Sequence, residues 1–221
     1  MRGAFVVFEG PEGGGKTSQA RALASGLEGM GYSTVLTREP GGTSLGSAVR
    51  DIVLPESSIS ISPRSEVLLY CASRAQLVEE VIKPALARGE VVVSDRFGYS
   101  TIAYQAYGRG LDVASVTEVV RFATGGIDPD MNVLLDLDPG TGLTRKQGLV
   151  LSGNPEEWNR YEQEEVAFHE RVRNGYLELA RGDPERWVVV DAGLPFGVVQ
   201  DRIIRVVSAL LDREQVPRRS R

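Results

Sequence analysis

The chain has 221 residues, a net charge of −5, 42% hydrophobic residues and one cysteine, Cys71. This suits one α/β domain with a sizeable core, argues against a nucleic-acid binder that relies on a broad basic face, and leaves neither a disulfide framework nor a structural zinc site. No run of about 18 apolar residues or signal-peptide pattern is found, so the expectation is a soluble cytoplasmic protein with no membrane and no nucleic-acid partner.

Phe5-Val6-Val7-Phe8-Glu9 reads as a buried strand. Gly10-Pro11-Glu12-Gly13-Gly14-Gly15-Lys16-Thr17 follows and fits G-x-x-x-x-G-K-[ST]. Ala20, Leu23, Ala24, Leu27 and Met30 then recur at helical spacing. Strand before and helix after are the context that makes this a phosphate loop. Glycines let successive N–H groups turn inward around a phosphate, and the helix N-terminus adds its positive end. Gly10 to Thr17 is therefore expected to hold ATP, with Lys16 on the β- and γ-phosphates and Thr17 on Mg²⁺.

Gly31 suits a helix C-terminal cap, and Ser33 to Thr37 reads as a second strand. It ends in the turn-rich Arg38-Glu39-Pro40-Gly41-Gly42, either a surface turn or a ligand loop at a strand's carboxyl end. Leu45, Val49, Ile52, Val53 and Leu54 suggest a short helix closed by Pro55, and a helical pattern runs from Arg64 to Leu86. Tyr70 and Arg74 share a face of it, as a core aromatic beside a solvated charge or as a platform for a planar ring. Glu90 to Arg96 is a third strand ending in Asp95 and Arg96. In a phosphate-loop enzyme such an Asp can organise Mg²⁺ and the Arg can hold a second anion; the plain alternative is an ion pair at a strand end.

Ser100, Thr101, Tyr104, Gln105 and Tyr107 cluster at a helix start, and Asp112 caps a helix that ends at Gly125-Gly126. Met131 to Leu137 is a fourth strand. From Leu143 to Tyr161 the pattern loosens, irregular over 148–154, with Arg145, Lys146 and Arg160. This is an ordinary surface loop or a lid that closes over phosphates. Glu162 to Ala180 is a helix whose His169 is read as exposed and inert. Trp187 to Asp191 is a fifth strand, Val198 to Leu211 a last helix, and Pro217 to Arg221 a frayed basic end. Strands and helices alternate, which predicts a single α/β domain over residues 1–221: a five-stranded parallel sheet with helices on both faces, and a mobile lid over 143–161.

One histidine and one cysteine provide no nucleophile–base constellation. Phosphoryl transfer needs neither, only positioning, positive charge and exclusion of water. The residues read as an ATP- and Mg²⁺-dependent kinase of a small anionic acceptor, with Lys16, Arg96, Arg160 and Arg145 as catalytic cations and Thr17 and Asp95 on the metal. A GTP-driven switch would carry an Asn-Lys-x-Asp guanine-reading motif, and none is found. A nucleoside kinase is a further alternative, although Arg96 and the Arg38 loop favour a phosphorylated acceptor.

The segments Phe8 to Thr17, Thr37-Arg38-Glu39-Pro40-Gly41-Gly42-Thr43, Asp95-Arg96-Phe97 and Ala103-Tyr104-Gln105 with Gly108-Arg109-Gly110 together closely resemble the bacterial thymidylate kinase family, from about Ala4 to about Ala192. The resemblance implies the nucleoside monophosphate kinase fold, transfer of the ATP γ-phosphate to thymidine 5′-monophosphate (dTMP), and commonly a homodimer. It implies that Glu12 contacts the acceptor's 3′-hydroxyl, that Arg96 holds the acceptor phosphate with Arg38 nearby, that Tyr70 stacks on thymine and that Arg74 bonds the base. Thr101 and Tyr104 would line base and sugar, with Gln105 beside them. The chain departs from the family at Phe97, often Tyr or His; at Asn159, where Asp usually precedes the Arg; and at Gly13, where an Arg can stand. The missing charge must come from the lid, from Arg145, Lys146 or Arg160, with Arg160 preferred.

Overall fold

The computed structural model describes residues 2–55, 59–153 and 159–218. Its strands are β1 (Phe5–Glu9), β2 (Thr34–Arg38), β3 (Val91–Asp95), β4 (Met131–Asp136) and β5 (Trp187–Asp191). Its α-helices are α1 (Lys16–Gly29), α2 (Ser44–Val53), α3 (Pro63–Leu77), α4 (Lys83–Ala87), α5 (Gly98–Thr101), α6 (Val113–Thr124), α7 (Pro139–Leu151), α8 (Val166–Gly182) and α9 (Phe196–Arg213). The strands pair in parallel in the order β2-β3-β1-β4-β5, the expected five-stranded sheet.

Alternation along the strands feeds two apolar layers. Val6 and Phe8 pack with Leu23, Leu27, Ile203 and Val207 of α1 and α9. Phe5 and Val7 point the other way, to Leu77, Val78 and Ile82. Burying one such Leu or Phe is worth about 1.5–3 kcal/mol, and the sheet is covered on both faces. Because the strands are parallel, their carboxyl ends share one edge, and each ends in a charge: Glu9, Arg38, Asp95, Asp136 and Asp191. β1 lies between β3 and β4, so the loop leaving it opens where the chain switches sides of the sheet, the crevice in which open α/β sheets bind ligands.

The structure departs from the sequence reading in three places. The helix expected from Arg64 to Leu86 carries a π-helical segment at Val78–Ile82, where the Lys83 N–H bonds the Val78 carbonyl five residues back. Pro84 follows and has no N–H to continue an α-helical ladder. The stretch expected to loosen after Leu143 is helical through Leu151, begun by the Asp138 cap (Thr141 N–H to Asp138 Oδ2, 2.9 Å) and by Pro139 at its first position. Gly142 and Gly148 hide it by interrupting the apolar pattern; 154–158 lie outside the described residues. His169, expected to be exposed, is 2% exposed, edge-on to Phe168 and bonded to the Tyr161 backbone. The 3-10 turn Arg160–Gln163 folds back toward α8, a tertiary contact that helical spacing alone does not reveal.

Candidate active site

The Gly10–Thr17 loop joins β1 to α1, with Gly10, Gly13 and Gly15 at positive φ. Lys16 opens α1 and is buried, and its ammonium folds back to donate to the Pro11 carbonyl at 2.7 Å. Burial, reinforced by the Arg96 charge, lowers its pKa to about 8. The Thr17 hydroxyl donates to Asp95 Oδ2 at 2.5 Å, so the two residues assigned to the metal meet across α1 and β3. A hydroxyl and a carboxylate are hard oxygen donors, a set that fits Mg²⁺ when water and phosphate fill its other positions. A cleft of about 430 Å³ is lined by Thr17, Arg38, Gly42 and Asp95, which brings the exposed Arg38 side chain to the same opening.

Arg96 stands at the end of β3 with φ 75°, a left-handed backbone uncommon outside glycine that costs on the order of 1–3 kcal/mol. Its N–H donates to the Phe8 carbonyl and its own carbonyl accepts from Ser94. The turn aims the guanidinium under the phosphate loop. There it donates to Glu12 Oε1 at 2.7 Å, Tyr104 Oη at 3.1 Å, the Gly10 carbonyl at 3.2 Å and Tyr176 Oη at 3.3 Å, and lies over the Tyr104 ring. Tyr104 also donates to Glu12 at 2.8 Å. Burial works against the Glu12 charge, but Arg96, Lys16 and Lys146 outweigh it and hold the carboxyl well below the usual carboxylate range.

The residues carried over for the base also gather. Arg74, 1% exposed, donates to Glu39 at 2.9 Å, to the Phe97 carbonyl at 3.0 Å and to Thr101 Oγ1 at 3.0 Å. Burial alone would disfavour its charge; Glu39 more than offsets that and raises its pKa. Thr101 precedes a second π-helical segment, Ile102–Gly108, where the Arg109 N–H reaches the Tyr104 carbonyl and which carries both Tyr104 and Gln105. Gln105 donates to Glu66 Oε2 and Tyr161 Oη, and Tyr161 shares a hydrogen bond with the half-buried Tyr70.

The candidate lid cations part company. Arg160 donates to the Val53 carbonyl at 2.5 Å and to Glu66 at 2.8 Å, binding the end of the expected lid segment to α2 and α3. Arg145 donates to the Ala192 carbonyl beyond β5. Lys146 lies 3.3 Å from Glu162 and 4.0 Å from Glu12 of the phosphate loop.

Sequence reasoning missed four site groups. Glu9 is fully buried and accepts from the Phe97 and Ser100 N–H groups, Ser100 Oγ and Tyr176 Oη. Burial raises its pKa against those hydrogen bonds. Tyr176, Glu39 and Glu66 are the others. An acid closing an otherwise apolar strand was the available signal for Glu9; the rest had none beyond the helical pattern or the turn around them.

A parallel sheet in this order, a phosphate loop after β1 and an Asp-Arg pair at the end of β3 define a phosphate-loop kinase of the nucleoside monophosphate type. The family model described as thymidylate kinase matches residues 8–203. A thymidylate kinase of Herpetosiphon aurantiacus is 44% identical over 92% of this chain and 94% of its own length. One of Deinococcus radiodurans is 46% identical over 94% of this chain and 97% of its own. The crystal structure of thymidylate kinase from Ehrlichia chaffeensis superposes with a TM-score of 0.73 at 31% identity, covering 94% of this chain and 99% of that one. The chain belongs to the thymidylate kinase family.

Proposed function

We infer that this chain transfers the γ-phosphoryl group of ATP to the 5′-phosphate of dTMP, yielding thymidine diphosphate and ADP. The observation that carries this is the Arg96–Glu12 pair, which ties a buried, cation-lined acceptor side to the loop that holds the donor. An acceptor phosphate oxygen attacks the γ-phosphorus. The bond from that phosphorus to the bridging oxygen breaks, and ADP leaves with the electron pair. The attacking oxygen is already anionic, so no protein base is required.

Lys16 supplies charge to the donor phosphates, Arg96 grips the acceptor phosphate, and Glu12 orients Arg96 while facing the sugar. Tyr70, Arg74, Thr101 and Gln105 form the base side, with Tyr104 between base and phosphate. Arg38 serves the cleft mouth. A magnesium ion held by Thr17 and Asp95 would neutralise charge on the donor phosphates. The lid proposed over 143–161 takes in most of α7 and the turn at Arg160.

The test is a coupled assay with ATP and Mg²⁺ across the nucleoside monophosphates. dTMP should be turned over well above the rest. Equal or faster turnover of uridine or cytidine monophosphate would overturn the thymidylate assignment, and use of thymidine itself would identify a nucleoside kinase.

A homodimer is supported by exposed apolar residues on neighbouring helices, Leu45 and Ile52 on α2, Leu68 on α3 and Phe122, 89% exposed, on α6. Sedimentation of Phe122→Glu against the parent reads it out. No helix among the described residues is long and apolar enough to cross a membrane. The free, buried Cys71 suits a reducing cytoplasm.

A further inference from the structure

Glu9, the last residue of β1, is a fully buried carboxyl that the transfer step itself does not use. It accepts from four neutral donors among the described residues: the Phe97 N–H at 3.0 Å, the Ser100 N–H at 3.2 Å, Ser100 Oγ at 2.5 Å and Tyr176 Oη at 2.9 Å. Such a set suits a carboxylate, which only accepts, and not an acid or amide, which must also donate. The donors themselves converge on Arg96. Ser100 Oγ and Tyr176 Oη lie 2.8 Å apart, and each accepts from Arg96 Nη1 at 3.3 Å. A hydroxyl has one proton and two lone pairs. With both protons running to Glu9, directly or from one hydroxyl through the other, both oxygens turn lone pairs to the guanidinium. The two amides fix the backbone just after Arg96, whose left-handed φ of 75° persists only where its neighbours hold it. Tyr176 comes from α8, so β1, the turn after β3 and α8 meet here.

We propose that Glu9 is a positioning residue for the acceptor phosphate: its carboxylate orients the Ser100 and Tyr176 hydroxyls and pins the turn after Arg96, so that the guanidinium stands fixed before a phosphate arrives. Arg96 is otherwise a long side chain with several rotatable bonds, and holding it in advance removes an ordering cost from binding. Glu9 acts through Arg96 and exchanges no proton with substrate, a role that rests on the reading above, in which Arg96 grips the acceptor phosphate. A neutral group at this position has a definite defect. The amide of Glu9→Gln has one accepting oxygen and an NH2 that donates. One hydroxyl must then accept from that NH2, and its own proton turns toward Arg96, where it opposes an N–H. The base side is anchored separately, since Arg74 is held by Glu39 and Thr101. The effect of losing the carboxylate therefore falls on the phosphate and spares the base.

The experiment compares Glu9→Gln, Tyr176→Phe, Arg96→Lys and the double variant Glu9→Gln/Arg96→Lys with the parent. It measures dTMP and thymidine binding by calorimetry, both KM values, kcat and melting temperature. Glu9→Gln should weaken dTMP binding by about tenfold and raise the acceptor KM in step, with thymidine affinity and ATP KM within about twofold of the parent. A merely structural loss would weaken thymidine, which lacks the phosphate, as much as dTMP. Tyr176→Phe should weaken dTMP by about threefold or more and spare thymidine. Adding Glu9→Gln to Arg96→Lys should cost much less than Glu9→Gln costs alone, since both act on one guanidinium. In folded Glu9→Gln, equal loss of dTMP and thymidine affinity, or dTMP binding within about twofold of the parent, overturns the proposal. So does a double variant in which the two losses multiply. Should Glu9→Gln fail to fold, Tyr176→Phe decides by the same two criteria. A parent that binds dTMP no more tightly than thymidine, or an Arg96→Lys that binds it as tightly as the parent, overturns the reading of Arg96 and this role with it, so those two measurements separate the failures.

Discussion

Arg96 donates to Glu12 at 2.7 Å, so one ion pair joins the end of β3 to the phosphate loop across 84 residues of sequence. The carboxylate also accepts from Tyr104, whose ring lies under the same guanidinium. The end of β3 and the phosphate loop are thereby coupled in the folded chain.

Arg96→Ala should raise the acceptor KM by about 10- to 100-fold, the loss of one or two charge-assisted hydrogen bonds. It also takes from the largely buried Glu12 its nearest cation, leaving Tyr104 and the more distant Lys146, so stability should fall by about 1–3 kcal/mol. Urea unfolding and steady-state kinetics measure the two effects. An unchanged acceptor KM would remove Arg96 from the acceptor site.

Thr17→Ala removes the hydroxyl, and Asp95→Asn the negative charge, of the pair proposed to hold Mg²⁺. The Mg²⁺ concentration for half-maximal rate should rise by about tenfold or more, with part of kcat recovered at saturation. Initial rates over a magnesium titration decide it; identical titration curves for parent and variants would count against this metal assignment.

Proton uptake should accompany donor binding. Burial, with the Arg96 charge adding to it, places the Lys16 ammonium near 8, so at about pH 8.5 much of it is neutral in the free protein. Phosphate in the loop favours the charged form and raises that pKa. The sign is therefore uptake, of up to about one proton near pH 8.5, fading towards pH 6.5. Calorimetry in buffers of different ionisation heat should show it for the parent and not for Lys16→Met.

His169 should make the fold acid-sensitive. Burial lowers its pKa from the ordinary 6.5. The unfolded chain takes up a proton near 6.5 while the folded chain resists it, so the unfolded state binds more protons as pH falls through that range. Stability then declines below about pH 6.5 until the folded value is reached. His169→Gln should flatten that part of a melting-temperature profile between about pH 7.5 and 5.5.

Glu66 should matter more for stability than its place in the first turn of α3 suggests. It accepts from Gln105, Arg160 and Tyr161 and pairs with Arg109. Glu66→Ala leaves the partly buried Arg160 without its acid, while Arg109 keeps Glu164 at 2.6 Å, and should cost about 3 kcal/mol in chemical denaturation. A loss below about 1 kcal/mol would show that the network is dispensable.

What was legible in the sequence was local. Gly10 to Thr17 could be read because its chemistry is contiguous, and Asp95-Arg96 because it ends an apolar strand. The five strands were readable from their short runs of Val, Leu and Phe. Glu9 and Tyr176 were not, since their hydrogen bond spans 167 residues. Arg160 was visible as a cation, but its partner Glu66 is 94 residues away, and the choice of partner decides whether it guards phosphate or braces the lid's edge.

The sequence by itself therefore determined the sheet, the phosphate loop and, through segments such as Arg38-Glu39-Pro40-Gly41-Gly42-Thr43, the family. Those features depend on backbone geometry and short-range spacing, which a linear pattern records. Only the tertiary structure decided which way each buried charge points. Helix α7 packs on Gly13 through Gly142 and carries Lys146 to Glu12, while Arg160 turns to Glu66. A buried charge needs a partner, and that partner is chosen by how helices pack, not by neighbours in sequence.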